Sequence, residues 1–474
     1  MRSLRPVAAR QIHSASRLSK EEKEKAAMQS EAEVRRKWMV LPYVRGRTSA
    51  THRMWINRFL AEKQQQAIQT TAKAESDGSV HPAPPRIILD KKMKDSYIEE
   101  YLLFKTEPDV REEYISAHGS VRIGKILEDL DALAGSIAYF HCDDNRSETI
   151  PLTIVTASLD RIDLLQPIPT DQDIRMSGHV TWVGNSSMEV SCWVETVPNH
   201  DPQSSSSATF GLGTAAAERR VPGEPILAAK FSMVARDPVT NKAAKINTLS
   251  LSTEEERRLF RSGAAHRARK LADKQFDLTS TPPTHEEMIL VHQLYQEYIQ
   301  YLDPTFNKPM PADVKWMKDT IQQSLVMCMP QDRNIHGNVF GGYLIRLAYE
   351  LASATGLLFA CSRIHFVALD DISFQKPVHV SDLLNLTSQV VYASGGDSRS
   401  FQVKVRADVL DPIKAEQSTT NTFHFTFASD DPVPRIMPRS YDESMRYIDG
   451  KRKKERWLSV SEHNTSIFAD KISN

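Results

Sequence analysis

Apolar residues along this chain keep a helical spacing, then switch to a strand-like one, and the whole sequence of patterns occurs twice. Ile123, Ile126, Leu127, Leu130, Leu133, Ala134 and Ile137 fall on one stripe, which predicts a helix with a buried face. Strand patterns follow over 153–159, 174–183, 188–197 and 226–234. A Ser-, Gly- and Ala-rich insertion at 204–217 separates the last two and is expected as a surface loop. Residues 253–303 are charged and helical in pattern. They open on Ser252-Thr253-Glu254-Glu255-Glu256, a capping hydroxyl followed by acids suited to a helix N-terminus. A second helix is then expected over 340–360, with strands near 364–374, 383–392, 400–409 and 419–427. In the last strand Phe423, Phe425 and Phe427 alternate with His424 and Thr426, which predicts one face in and one face out. One long helix followed by antiparallel strands, twice over, is an α+β plan in which each sheet wraps its own helix. The basic run Gly450-Lys451-Arg452-Lys453-Lys454-Glu455-Arg456 is expected as solvated surface.

Short motifs repeat in the same order as the pattern. Met93-Lys94-Asp95-Ser96 matches Met317-Lys318-Asp319-Thr320, and His118-Gly119 matches His336-Gly337. Leu159-Asp160-Arg161-Ile162 with Gln166-Pro167 answers Leu369-Asp370-Asp371-Ile372 with Lys376-Pro377. A period of about 210–220 residues is too long for a solenoid and fits a duplicated domain.

Charge and cysteine usage remove several function classes. Sixty basic and sixty acidic residues cancel, so the overall basic field of a nucleic-acid-binding protein is missing. Cys142, Cys192, Cys328 and Cys361 are scattered without CxxC or His/Cys ligand spacing, which predicts reduced thiols and no metal site. Charges interrupt every long apolar run, so no transmembrane segment is expected. The N-terminus differs in kind: Arg2, Arg5, Arg10 and Arg17 occur among Ser and Ala with no acid before Glu21, the composition of a mitochondrial transit peptide.

The stretch Asn334-Ile335-His336-Gly337, followed by Val339-Phe340-Gly341-Gly342 and a long helix, resembles the hallmark of hotdog-fold acyl-coenzyme A thioesterases. The tandem layout, N-terminus and long connector most resemble the mitochondrial type-nine members. The resemblance covers residues 90 to 430 or so and implies two tandem hotdog domains, each an antiparallel sheet wrapped around a long central helix. The expected organisation is a transit peptide at 1–20, a charged leader at 21–89, hotdog domains at 90–250 and 311–430, a helical connector at 251–310 and a C-terminal tail at 431–474. The resemblance further implies a matrix enzyme whose substrate is acyl-coenzyme A, with no cofactor besides that substrate, assembled as a homo-oligomer of tandem units, a trimer.

In such families an Asn precedes the helix, an acid sits about two turns into it, and the site is shared by a pair of hotdogs. Carried over residue by residue, the second copy has Asn334 where the first has Ser116, and the first has Asp131 where the second has Tyr349. Neither copy is complete alone. Paired across copies, Asn334 with Asp131 makes one complete site and Ser116 with Tyr349 one ruined site, which Glu350 would rescue only by a register shift. Asp131 is then the general base on water or a nucleophile, and Asn334 holds the water or the thioester carbonyl. Backbone N–H groups at Gly341 and Gly342 would receive the oxyanion, and Arg399 a coenzyme A phosphate. Periodicity alone does not separate Asp131 from Asp129, and Asp131 by itself also reads as a helix-surface acid, Asn334 as a cap or turn residue. Two rival readings stand beside this one: a hotdog enoyl-coenzyme A hydratase and a non-catalytic acyl- or protein-binding scaffold.

Overall fold

The computed structural model describes residues 86–472 apart from 117, 147–148, 198–209, 220–222, 274–277, 279–280, 303–304, 307, 333–337 and 415. The expected transit peptide, nearly all of the leader and Asn334 fall outside the described residues.

The first half opens with β1 (Asp90–Lys92), β2 (Ile98–Leu102) and the short helix α1 (Pro108–Tyr114), which lead into the long helix α2 (Ile123–Cys142). Then come β3 (Thr153–Leu159), β4 (Ile162–Leu164), β5 (Ile174–Val183), β6 (Ser187–Thr196), β7 (Phe210–Leu212), α3 (Gly213–Arg219), β8 (Pro225–Arg236) and β9 (Thr248–Ser250). Two helices follow, α4 (Glu254–Asp273) and α5 (His285–Leu302). The second half repeats the order with β10 (Val314–Trp316), β11 (Gln322–Met327), α6 (Gly341–Ala360), β12 (Ile364–Leu369), β13 (Ile372–Ser373), β14 (Leu383–Ala393), β15 (Ser400–Asp411), β16 (Glu416–Ser429) and β17 (Arg435–Met437). The final helix is α7 (Tyr441–Ile472).

The strands of both halves join in one sheet, ordered β11-β14-β15-β16-β12-β4-β8-β6-β5-β2-β7, with β3 and β13 completing the seam. At that seam β12 pairs antiparallel with β4 and β13 with β3, Ile372 opposite Leu159. Each half also carries a short parallel pair, β1 with β9 and β10 with β17. Helices α2 and α6 lie against their own strands and against each other. Because α2 is enclosed on both sides, its buried residues include Glu128, Asp129 and Asp131 as well as the apolar stripe.

Both halves are also covered on the outer side of the sheet. Helix α4 packs on β5, and α7 packs on β14 and β15. A Cβ on Gly263 would come within 2.5 Å of Trp182 Cβ, and one on Gly450 within 2.8 Å of Tyr392 Cβ. Arg267 lies over the Trp182 ring at 5.4 Å and Lys454 over the Tyr392 ring at 5.5 Å. The two outer helices therefore dock through matching residues, a small one at the crossing and a cation over the aromatic ring.

Three expectations change. The insertion at 204–217 is not all loop: β7 adds to the edge of β2 and runs into α3, because Gly213 (φ +67°) turns the chain there. His424 and Thr426 do not face solvent; both are buried, His424 with Nε2 at 3.5 Å from Asp449 of α7 and Thr426 with Oγ1 accepting from Gln402 Nε2 at 2.6 Å. The basic run at 450–456 is likewise docked rather than free, since Arg452 forms a two-pronged pair with Glu287 of α5 at 2.6 and 2.7 Å. Two others hold. Thr253 and Glu256 cap α4 reciprocally, Thr253 Oγ1 accepting from Glu256 N–H at 3.1 Å and Glu256 accepting from Thr253 N–H at 3.0 Å. All four cysteines are free thiols.

Candidate functional site

The site forms where α6 begins against the middle of α2. The first N–H groups of a helix lack intrahelical partners, and Phe340 at the N-cap of α6 supplies no side-chain bond. Asp131 of α2 supplies one instead: its Oδ2 accepts from Gly342 N–H at 2.6 Å. The positive end of α6 favours a carboxylate there. Its other oxygen accepts from Thr156 Oγ1 of β3 at 2.9 Å. This close approach is possible only because α6 opens on two glycines, Gly341 and Gly342. A Cβ on Gly341 would stand 3.0 Å from Asp131 Oδ2, and one on Gly342 2.8 Å from the Glu128 carbonyl. An ion pair between Glu128 and Arg346, 3.1 Å, spans the same helix crossing.

Asp131 is 1 % exposed. Burial pushes its carboxyl up to about 6, while the bonds from Thr156 and Gly342 pull the other way and limit the rise. Asp129, which periodicity could not separate from it, is held elsewhere: Tyr114 Oη donates to it at 2.6 Å. Asp131 lines a cavity of about 290 Å³ bounded by α2, β3, the start of α6 and the segment 374–378; Asp129 does not. Carboxylate oxygens have a second lone pair each, so an acid held by two donors can still take a proton from a water in that cavity.

Of the residues singled out from the sequence, Asp131, Gly341 and Gly342 are brought together. Asn334 lies outside the described residues, but the chain on either side of it is joined beside the α6 start by Phe340 N–H donating to Asp332 O at 3.1 Å. The N–H of Gly342 is engaged by Asp131 rather than open to a ligand. Arg399 is not brought to the cavity; it is exposed between β14 and β15, where its carbonyl accepts from Ser429 N–H. The cavity's own cations are Arg236 and Lys376, both exposed.

Thr156 was missed from the sequence, yet a signal for it exists. Aligning Leu159-Asp160 with Leu369-Asp370 sets Thr156 opposite Phe366, the same polar-to-apolar exchange seen between Asp131 and Tyr349. Tyr349 stacks edge-on against Phe366 at 5.6 Å and Phe425 at 5.8 Å, so an aromatic cluster fills the corresponding place in the second half. Gly124 approaches Tyr349 there as Gly342 approaches Asp131, its Cβ position 3.1 Å from the Tyr349 ring. Glu350 points away to an ion pair with Arg122 at 3.0 Å, both partly exposed. Among the described residues one group could hold a metal ion, Asp160, Glu189 and His266, with donor atoms within 4.8 Å of one another. Lys230 already serves it, 3.1 Å from His266 Nδ1 and 3.6 Å from Glu189.

Residues 118–202 match the family model described as Thioesterase superfamily. Acyl-coenzyme A thioesterase 9, mitochondrial, of Mus musculus is 39% identical over 376 residues, 78% of this chain and 80% of that protein. Its Bos taurus counterpart is 40% identical over 374 residues, 78% of each. Acyl-coenzyme A thioesterase 2, chloroplastic, of Humulus lupulus is 38% identical over 383 residues, 77% of this chain and 82% of that protein. The chain belongs to the acyl-coenzyme A thioesterase family, and its α+β fold is the hotdog fold of thioesterases.

Proposed function

We propose that the protein hydrolyses acyl-coenzyme A to a free carboxylic acid and coenzyme A at one composite site, with Asp131 from the first half and Asn334 from the second. The observation that carries this reading is the bond from Gly342 N–H to Asp131 across the two halves, which puts the acid of one copy at the helix start that Asn334 precedes in the other. Asp131 takes a proton from a water steadied by the Asn334 amide, and the water oxygen attacks the thioester carbonyl. Negative charge moves onto the carbonyl oxygen, which the N-terminus of α6 stabilises on the Gly341 side. The C–S bond then breaks, and the coenzyme A sulfur leaves with the proton held by Asp131. Thr156 keeps the carboxylate aimed. No step changes an oxidation state, and Asp131, Asn334 and the helix N-terminus supply the base and the charge stabilisation, so this reading calls on neither a redox cofactor nor a metal.

Residues 90–250 and 311–430 are, in this reading, tandem hotdog domains, with 251–310 and 431–474 adding the helices outside each sheet. The protein is mitochondrial, as its animal relatives are named. We place it in the matrix because the first twenty residues bear Arg and no acid. We also propose that tandem units associate further, as trimers. The direct test is release of coenzyme A from a series of acyl-coenzyme A substrates. Asp131→Asn and Asn334→Ala should each lower turnover by roughly two to three orders of magnitude, and the double variant should be scarcely worse than the poorer single one. Multiplying defects would show that the two residues do not serve one reaction centre.

A further inference from the structure

Gly135 sits in the middle of α2, one turn beyond Asp131. Glycine weakens a helix interior and is usually kept there by a close approach or an unusual φ. Neither applies here. A Cβ on Gly135 would meet nothing within 4 Å, and its φ is not positive. Gly342 and Gly178, by contrast, each have atoms closer than 3.0 Å to the Cβ position. The open space at Gly135 is the cavity that Asp131 lines. On the same stripe of α2, Ala132 and Ser136 also line it and are small, and the stripe ends at Tyr139.

Tyr139 is fixed across the end of the stripe. Its Oη accepts from Ile154 N–H at 3.2 Å and its ring is buried. Beyond it lies a separate cavity of about 20 Å³, also lined by Tyr139, so this ring is part of the wall between the two spaces. Ile154, Met233 and Leu344 line the cavity together with Gly135, and the hydroxyls beside them are already donated, Ser136 Oγ to Ala132 O at 2.8 Å and Thr156 Oγ1 to Asp131 at 2.9 Å. A pantetheine arm would bring two amides that each need a donor and an acceptor into that lining, whereas an alkyl chain needs neither.

We infer that Gly135 keeps clear the passage for the acyl chain and that Tyr139 closes it, which makes this a thioesterase for medium-chain acyl groups. The inference rests on the proposed thioesterase reading and adds the substrate class. Asp131 and Tyr139 are eight positions apart, a helical rise of about 12 Å. An extended chain advances about 1.2 Å per bond, so about eight to ten carbons fit between the reacting carbonyl and the ring. A cavity near 290 Å³ is at the small end for ligand sites, in keeping with a chain of that length.

The test is kcat/KM of the full-length protein along straight-chain substrates from acetyl- to palmitoyl-coenzyme A, for the parent, Gly135→Leu and Tyr139→Ala. In the parent, kcat/KM should peak at octanoyl or decanoyl. Gly135→Leu should lower the octanoyl-to-butyryl ratio by about tenfold or more, since misfitting methylenes discriminate on that scale. Tyr139→Ala should raise the palmitoyl-to-octanoyl ratio by a similar factor. Leu is a better helix former than Gly and would enter open space, so Gly135→Leu should melt no lower than the parent; a lower melting point would overturn the premise that the space is free. An equal loss at every chain length in Gly135→Leu would assign the passage to the pantetheine arm and overturn the inference, as would an unchanged profile. If the parent released coenzyme A from none of the series, it is the thioesterase reading that would fall.

Discussion

Asp131 carries two opposing demands, and its ionisation makes both measurable. As a base it works only as the carboxylate, so kcat/KM should fall as pH drops through about 6, and Asp131→Asn should remove that inflection from whatever activity remains. For stability the sign is the reverse. A carboxyl raised from 3.8 to about 6 binds protons more readily folded than unfolded, so stability falls as pH rises through that window, by about 3 kcal/mol in the limit. Asn can keep both partners, accepting from Gly342 N–H and donating to the Thr156 hydroxyl. Asp131→Asn should therefore melt above the parent at about pH 8, with the gap closing towards about pH 4. Equal melting curves at both values would mean that burial of this carboxylate is not destabilising. Thr156→Val removes one of the two bonds that hold the carboxyl down, so its activity inflection should move above 6. The loss should appear in kcat more than in KM, as expected of a residue that aims the base rather than one that binds substrate.

Glycines at helix crossings divide the elements into those that tolerate a methyl group and those that do not. A Cβ on Gly342 meets the backbone of Glu128, which cannot yield without moving α2, whereas a Cβ on Gly124 meets only the side chains of Tyr349 and Arg346 and the Arg346 carbonyl at longer range. Gly342→Ala should thus lower stability by about 1–3 kcal/mol and take activity with it by displacing Asp131, while Gly124→Ala should keep most of both. Thermal melts and coenzyme A release on the pair decide it; similar behaviour of the two would contradict the asymmetry of the crossing. The central helices and strands were legible because each presents one regular face to a core: the stripe from Ile123 to Ile137 lies in α2, and the run at 153–159 is β3. The outer faces were not legible. His424 looks solvent-facing by alternation but is buried beside Asp449 of α7, and a charged helix such as α7 shows little in its own sequence of what it will dock on. Asp131 was legible only through the thioesterase resemblance carried over copy by copy, because a buried acid breaks the pattern that marks buried positions. Thr156 needed the two copies aligned one strand further on, at Leu159-Asp160 and Leu369-Asp370.

At the scale of the whole molecule, the proposed composite site has each half lacking what the other supplies. Ser116→Ala and Tyr349→Phe, in the aromatic-filled half, should leave hydrolysis within a few-fold of the parent, and a large loss from either would place chemistry in the wrong half. Divergence has also left the two sheet edges unlike. In the first half β7 pairs with β2 and α3 follows, so that edge is occupied. In the second half β11 ends the sheet among the described residues, with Leu325 61% and Met327 54% exposed. An unpaired edge strand that shows apolar side chains is a site for another chain to add. If tandem units associate as proposed, this edge belongs to the contact. Light scattering should then give a multiple of the 53.6 kDa chain for the parent, and Leu325→Lys with Met327→Lys should return the mass to that of one chain. Activity should survive the change, because every residue assigned to the reaction lies within a single chain. A parent that is already monomeric at micromolar concentration would remove the association. Loss of activity with unchanged mass would show instead that β11 supports the site from within.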